Sequence, residues 1–364
     1  MEVVFRADAS LKMGSGHVMR CLTLADALRL QGIKCSFICR EHPGNLIELI
    51  RGKGFPVEAL PLPAAQASDI GSLSHLSELS HSSWLGVSQH RDARDSTSVI
   101  DQLQPDWLII DHYALDERWE KALASHCRNI MVIDDLADRS HQCQVLLDQT
   151  FQRNPMDYAL LVPKECVLLC GSQYALLRPE FTELRPHSLQ RRQIVQLKNI
   201  LVTMGGVDKD NVTGQVLDAL AGSGLPDDCK ITVVMGSTAP WLEDVRRRAM
   251  RMSLPTEVRV GVSDMAQLMA DSDLAIGAAG GTSWERCCLG LPTIMIVLAE
   301  NQKAIAQALI TAGAAFVAES AALEIPSLID ALHNAPLLLT TMSASAAEVA
   351  DGLGVFKVIA QLNS

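Results

Sequence analysis

Two glycine-rich turns constrain this chain more than any other feature. Gly14-Ser15-Gly16-His17 and Gly277-Ala278-Ala279-Gly280-Gly281-Thr282-Ser283 each follow an apolar strand candidate and precede a helix candidate. Strand–turn–helix units of this kind carry side chains to the carboxyl edge of a sheet, where α/β proteins bind their ligands. The first unit, a strand at 3–5 and a helix at 18–30, brings an imidazole to that edge. Short apolar runs recur along the chain. Further strands are expected at 35–39, 107–110, 130–133, 145–147 and 167–169, then at 200–203, 231–235, 257–260, 274–276 and 293–297. Helix-length amphipathic segments lie between most of them, at 119–126, 212–221, 240–250, 265–270, 283–289 and 302–312. The alternation predicts an α/β fold with parallel sheets covered by helices.

With 364 residues, 48% of them apolar, the chain has material for two cores. The pattern pauses in a polar, basic stretch around 185–198 and then restarts. Two Rossmann-like domains facing across a cleft are therefore expected, at 1–190 and 198–345, with a terminal helical segment at 346–364 packing back across the hinge. Residues 64–98, rich in Ser and His and poorly periodic, are expected to be irregular. The formal net charge of -11, without a dense Lys/Arg block, points away from nucleic acid or an anionic membrane and toward a small-molecule partner. Glu2, Arg6 and Asp8 interrupt the first apolar stretch, unlike a secretory signal, and no run approaches the length of a membrane span. The ten cysteines show no CxxC framework and read as reduced core thiols, as in a cytoplasm.

The Gly14-x-Gly16 turn lacks the small third residue of a dinucleotide fingerprint, since Met19 stands there, and no Gly-Lys-Ser/Thr follows as in a phosphate-cradling P-loop. His17 either caps its own helix or acts as a base, and the positive end of the helix dipole favours its neutral ring. Arg6 and Asp8 share one face of the first strand and either bind a sugar, orient His17, or form a structural ion pair. In the second half, Gly280, Gly281, Thr282 and Ser283 place backbone donors at a helix start, which suits a diphosphate. Glu285 either accepts ribose hydroxyls or complements the helix dipole. Gly205, Gly206 and Asp208 follow one strand and Asn301 and Gln302 another, so all three turns line one rim. Eight histidines, His42, His75, His81, His90, His126, His141, His187 and His333, lack metal-ligand spacing and read as solvated, with no metal site and no cofactor expected. His112, beside Asp111 and Tyr113 at a strand end, is expected to orient the site.

Taken together, several segments resemble one family. They are Phe5-Arg6-Ala7-Asp8, Gly14-Ser15-Gly16-His17-Val18-Met19-Arg20, Ile110-Asp111-His112-Tyr113, Ile133-Asp134-Asp135, the run from Tyr174 to Phe181, Met204-Gly205-Gly206 with Asp208, and Asn301-Gln302. The family is the UDP-2,4-diacetamido-2,4,6-trideoxy-β-L-altropyranose hydrolases of pseudaminic acid biosynthesis, similar to two-domain glycosyltransferases of the GT-B type, including the murein glucosaminyltransferase. The resemblance implies UDP on the second domain, a diacetamido-trideoxy sugar in the cleft, and His17 as the base that activates water. It further implies inversion at the anomeric carbon and no bound metal. On the substrate side it implies Arg6, Asp8, Gly14, Gly16, Asp111, His112 and Tyr113, although a buried Tyr at a strand end is the plainer reading of Tyr113. Trp284 departs from a family position where Asn occurs. A UDP-sugar glycosyltransferase and a non-catalytic nucleotide-sugar sensor are the alternatives.

Overall fold

The computed structural model describes residues 1–63 and 79–364. His75 and the first part of the stretch expected to be irregular, residues 64–78, lie outside the described residues. Contacts divide the chain into two units, residues 1–176 with 355–364, and residues 177–354.

The first unit is built on seven parallel strands: β1 (Glu2–Ala7), β2 (Lys34–Arg40), β3 (Val57–Leu60), β4 (Trp107–Asp111), β5 (Asn129–Ile133), β6 (Val145–Asp148) and β7 (Val167–Cys170). Their order is β3-β2-β1-β4-β5-β6-β7. The central strand β4 is buried throughout, which is why it reads as an unbroken apolar run rather than an alternating one. The helix Gly16–Leu30 buries Val18, Cys21, Leu22, Ala25 and Leu28, a helical stripe that packs on the sheet. Ahead of it, Gly14 bonds back to Ser10 and adopts φ +77°, a conformation that favours glycine and turns the chain from β1 into the helix.

The second unit carries six parallel strands: β8 (Asn199–Thr203), β9 (Lys230–Met235), β10 (Thr256–Val260), β11 (Leu274–Ala278), β12 (Thr293–Ile296) and β13 (Ala315–Ala318), ordered β10-β9-β8-β11-β12-β13. Both sheets match the expected α/β class, and every strand expected from the sequence is present.

Four expectations need correction. Residues 89–98 are not irregular but belong to the helix Gln89–Leu103, capped by Ser88. Its inward face carries Asp92 and Ser96, so a buried polar face hid the apolar period. The boundary between units falls at Leu176–Leu177, because the helix Pro179–Arg191 packs on the second core: Arg192, just beyond it, donates to Leu289 O, Ser272 O and Met269 O. The terminal segment is two helices, Leu337–Val349 and Gly354–Leu362, separated at Ala350–Leu353, where Gly352 adopts φ +83°. The last of them packs in the first core, with Trp107 Nε1 donating to Leu362 O at 3.0 Å. Finally, His42 and His141 are buried rather than solvated. All ten cysteines are free thiols, and no helix among the described residues is long and apolar enough to cross a membrane.

Candidate active site

The turn after β1 and the end of β4 meet at His17. Its Nδ1 lies 2.5 Å from Asp111 Oδ1, and Arg20, one turn along the same helix, grips the same carboxylate with Nε at 2.5 Å and Nη2 at 2.7 Å. Burial alone would raise Asp111, but Arg20 and then His17 hold it well below the usual carboxylate range. A carboxylate only accepts, so Nδ1 carries the hydrogen and Nε2 the lone pair. The 3.4 Å approach of Arg20 Nη2 to Nδ1 is then a contact between two donors, not a hydrogen bond. Nε2 has no partner among the described residues and is not enclosed; the His17 side chain retains 6% exposure. The arrangement has the geometry of an imidazole with a free accepting nitrogen, oriented by a carboxylate.

Tyr113 stands edge-on to the His17 ring at 4.5 Å, and its hydroxyl donates to Asp135, which also accepts from Arg20 Nη1 at 2.9 Å. Burial pushes the phenol well up, so it stays protonated. His81, expected to be solvated, packs with Trp84 against Tyr113, at centroid distances of 5.3 and 5.8 Å respectively. Gly14 and Gly16 border the same turn, and a Cβ on either would meet nothing within 4 Å.

Four substrate-side expectations lie in the interior. Arg6 and Asp8 are fully buried: Arg6 bonds Asp8 at 2.7 Å and Asp92 through Nε at 3.0 Å and Nη2 at 2.7 Å, so the structural ion pair is the reading that holds. His112 is buried too. Its Nδ1 accepts from Ala114 N at 3.0 Å, which leaves the hydrogen on Nε2, 3.3 Å from Asp8 Oδ2. Burial lowers its pKa, and the neutral ring lies parallel to that of His17 at 6.5 Å. Asp111 is likewise closed to solvent, its oxygens engaged by His17 and Arg20. Arg20 and Asp135 lie within the quoted motifs yet received no role; the i, i+3 spacing from His17 to Arg20 was the available signal.

In the second unit, the turn after β8 carries Gly205 and Gly206, both without neighbours at a Cβ position. Asp208 does not face them: its two oxygens accept from Val212 N and Thr213 N, each at 2.9 Å, and cap the helix Val212–Ala221. The turn after β11 leaves Gly281 open and Gly280 with only Gln302 Nε2 nearby, 3.8 Å from its Cβ position. These two expected segments therefore meet. Thr282 is exposed, whereas Ser283 is buried with Oγ accepting from Arg286 at 3.0 Å. Asn301 shares the short turn Glu300–Gln302, and its side chain lies outside those described. Trp284 is buried and packs inward. Glu285 is 19% exposed and 3.8 Å from Arg178 Nη2; burial raises its pKa to about 7, with Arg178 opposing.

Residues 199–354 match the glycosyltransferase family 28 C-terminal domain. A UDP-2,4-diacetamido-2,4,6-trideoxy-β-L-altropyranose hydrolase of Campylobacter jejuni is 27% identical over 84% of this chain and 95% of its own length. The resemblance drawn from the motifs is borne out. An uncharacterized protein of Methanocaldococcus jannaschii is 25% identical over 83% of this chain, which spans 57% of that longer protein. Among solved structures, Acinetobacter baumannii MurG superposes with a TM-score of 0.70 at 18% identity, covering 100% of this chain and 99% of its own. The fold is GT-B-like.

Proposed function

We propose that this chain hydrolyses UDP-2,4-diacetamido-2,4,6-trideoxy-β-L-altropyranose to UDP and 2,4-diacetamido-2,4,6-trideoxy-L-altrose. The observation that carries this reading is the His17–Asp111 pair, with Nε2 unpartnered and open. Water attacks the anomeric carbon, Nε2 takes its proton, and the C1–O bond breaks with its electron pair passing to the β-phosphate oxygen of UDP. Attack opposite the leaving group inverts the anomeric centre. Asp111 stabilises the imidazolium as it forms; a placed base contributes about 10²–10⁴-fold. UDP is already a modest base when it leaves, so the chain's task is to position, to take one proton and to neutralise charge.

The nucleotide is assigned to the second unit: backbone N–H groups of the Gly280-Gly281-Thr282 turn take the diphosphate, Gly205 and Gly206 give close backbone approach, and the Glu285 carboxylate accepts ribose hydroxyls. Tyr113 takes the sugar beside His17. Similarity to the Campylobacter hydrolase over nearly the whole of that protein supports the substrate.

Incubation of the pure protein with the UDP-sugar in buffer, without any acceptor, tests the reading. Equimolar UDP and free sugar are expected, abolished in His17→Ala and His17→Asn while UDP still binds. Intact substrate that is consumed only when an acceptor sugar is added would instead make the protein a transferase, and intact substrate under every condition would make it a sensor.

A further inference from the structure

Arg286 is a buried cation that forms no ion pair among the described residues. The residue is 1% exposed and its Nη2 donates to Ala278 O at 2.7 Å and Ser283 Oγ at 3.0 Å. Nε and Nη1 are buried without a partner, and no ion pair among the described residues includes this guanidinium. The strand beside it has given up its side chain: a Cβ on Gly277 would lie 2.4 Å from Nη1 and 2.9 Å from Thr203 O. Any larger residue at 277 would expel the guanidinium, so the pair is built to seat a charge between the ends of β8 and β11.

An unpaired buried charge costs several kcal/mol, and an apolar side chain of similar volume would serve packing better. Such a buried charge is stabilised by an anion from outside the fold even at a distance. Burial pushes its pKa down only to about 10, so it remains a cation at neutral pH. Neighbouring Glu285 forms no ion pair with it and lies instead 3.8 Å from Arg178 Nη2. The two strands flanking the guanidinium lead into the turns 204–208 and 279–283, the open glycine turns of this unit. The helix Thr282–Cys288 is only seven residues long, so its dipole alone is a weak anion attractor.

We propose that Arg286 is a buried electrostatic anchor for a nucleoside diphosphate, its unpaired charge drawing the pyrophosphate onto the two glycine turns without touching it. The inference rests on the nucleotide reading given above and adds to it a residue that acts through the interior. In a low-dielectric setting a fixed charge acts across the intervening backbone with little screening by salt.

Calorimetric titration of the full chain with UDP and with uridine separates this role from a bracing one. Arg286→Met is expected to weaken UDP by about tenfold or more, a loss of about 1.4 kcal/mol or greater, while uridine changes less than about twofold. Arg286→Lys keeps the charge and is expected to recover most of the UDP affinity. The melting temperature of Arg286→Met is expected to match or exceed that of the wild type, because an unsatisfied charge has been removed. Equal losses for UDP and uridine would mark Arg286 as a brace for the turn and overturn the proposal, as would unchanged UDP affinity. If the wild type bound no UDP, the nucleotide reading would fall and this inference with it; wild-type binding with an unaltered UDP-to-uridine ratio in Arg286→Met would remove the inference alone.

Discussion

A histidine becomes a directed base through the group that holds its far nitrogen. Here Asp111 fixes the tautomer and Arg20 fixes Asp111, so the proton-accepting lone pair of His17 is set by two residues behind it. Asp111→Asn presents an amide where a carboxylate stood and no longer stabilises imidazolium. We expect kcat to fall by about 10²–10⁴-fold with little change in UDP affinity; a loss confined to KM would argue that Asp111 shapes binding instead. Glu285 carries a second, pH-dependent expectation. Its pKa of about 7 means that the ionised form, the one proposed to accept ribose hydroxyls, is progressively lost as pH falls below neutrality. UDP affinity should therefore rise with pH through about 7 and level off above it, and Glu285→Gln should abolish the slope. Affinity that is flat across this range in the wild type would detach Glu285 from the ribose.

At the scale of elements, β1, β2 and the helix Gln89–Leu103 are joined through Asp92. That carboxylate accepts from Arg6, from Arg40 through Nε at 3.1 Å and Nη2 at 2.7 Å, and from Trp119 Nε1 at 3.0 Å. Burial would raise Asp92, yet Arg6 and Arg40 hold it below its ordinary value, and Arg6 with His112 does the same for Asp8. A carboxylate depressed in the folded state contributes stability that is complete above its unfolded value, about pH 4, and is lost as pH falls through the lower folded value. Asp92→Ala removes the carboxylate shared by two buried guanidinium groups, leaving Arg6 only Asp8 and Arg40 only the partly exposed Asp95 as charged partners, and should cost about 3–5 kcal/mol, measured by denaturant unfolding, with an upward shift of the acid-unfolding midpoint. A cost under about 1 kcal/mol would show that the cluster is dispensable. The same cluster marks where the sequence stopped being legible. Apolar runs such as β4 and β11 announced their strands, because strands buried on both faces need continuous hydrophobicity. Gln89–Leu103 did not announce itself, since Asp92 and Ser96 occupy its inner face, and neither did the edge strands β3, broken by exposed Glu58, and β13, half of it alanine. Likewise His17 was readable from its turn, whereas the burial of Arg6, Asp8 and His112, and the capping role of Asp208, depend on partners distant in the chain.

For the whole molecule, the division of labour follows the division of the chain. The first unit holds His17, the proposed base, and its aromatic neighbours, and is completed by residues 355–364, so the second unit is a segment that leaves and returns. The second unit holds the open glycine turns, Glu285 and the unpaired charge of Arg286. A net charge of -11 makes such local cations matter for an anionic ligand. The central claim is that water, activated by His17, attacks carbon rather than phosphorus. Turnover in ¹⁸O-water with mass analysis of the UDP released tests it most directly. The account predicts UDP free of ¹⁸O, the label entering the sugar, and no turnover in His17→Asn. Label in the β-phosphate of UDP, or undiminished turnover by His17→Asn, would contradict it.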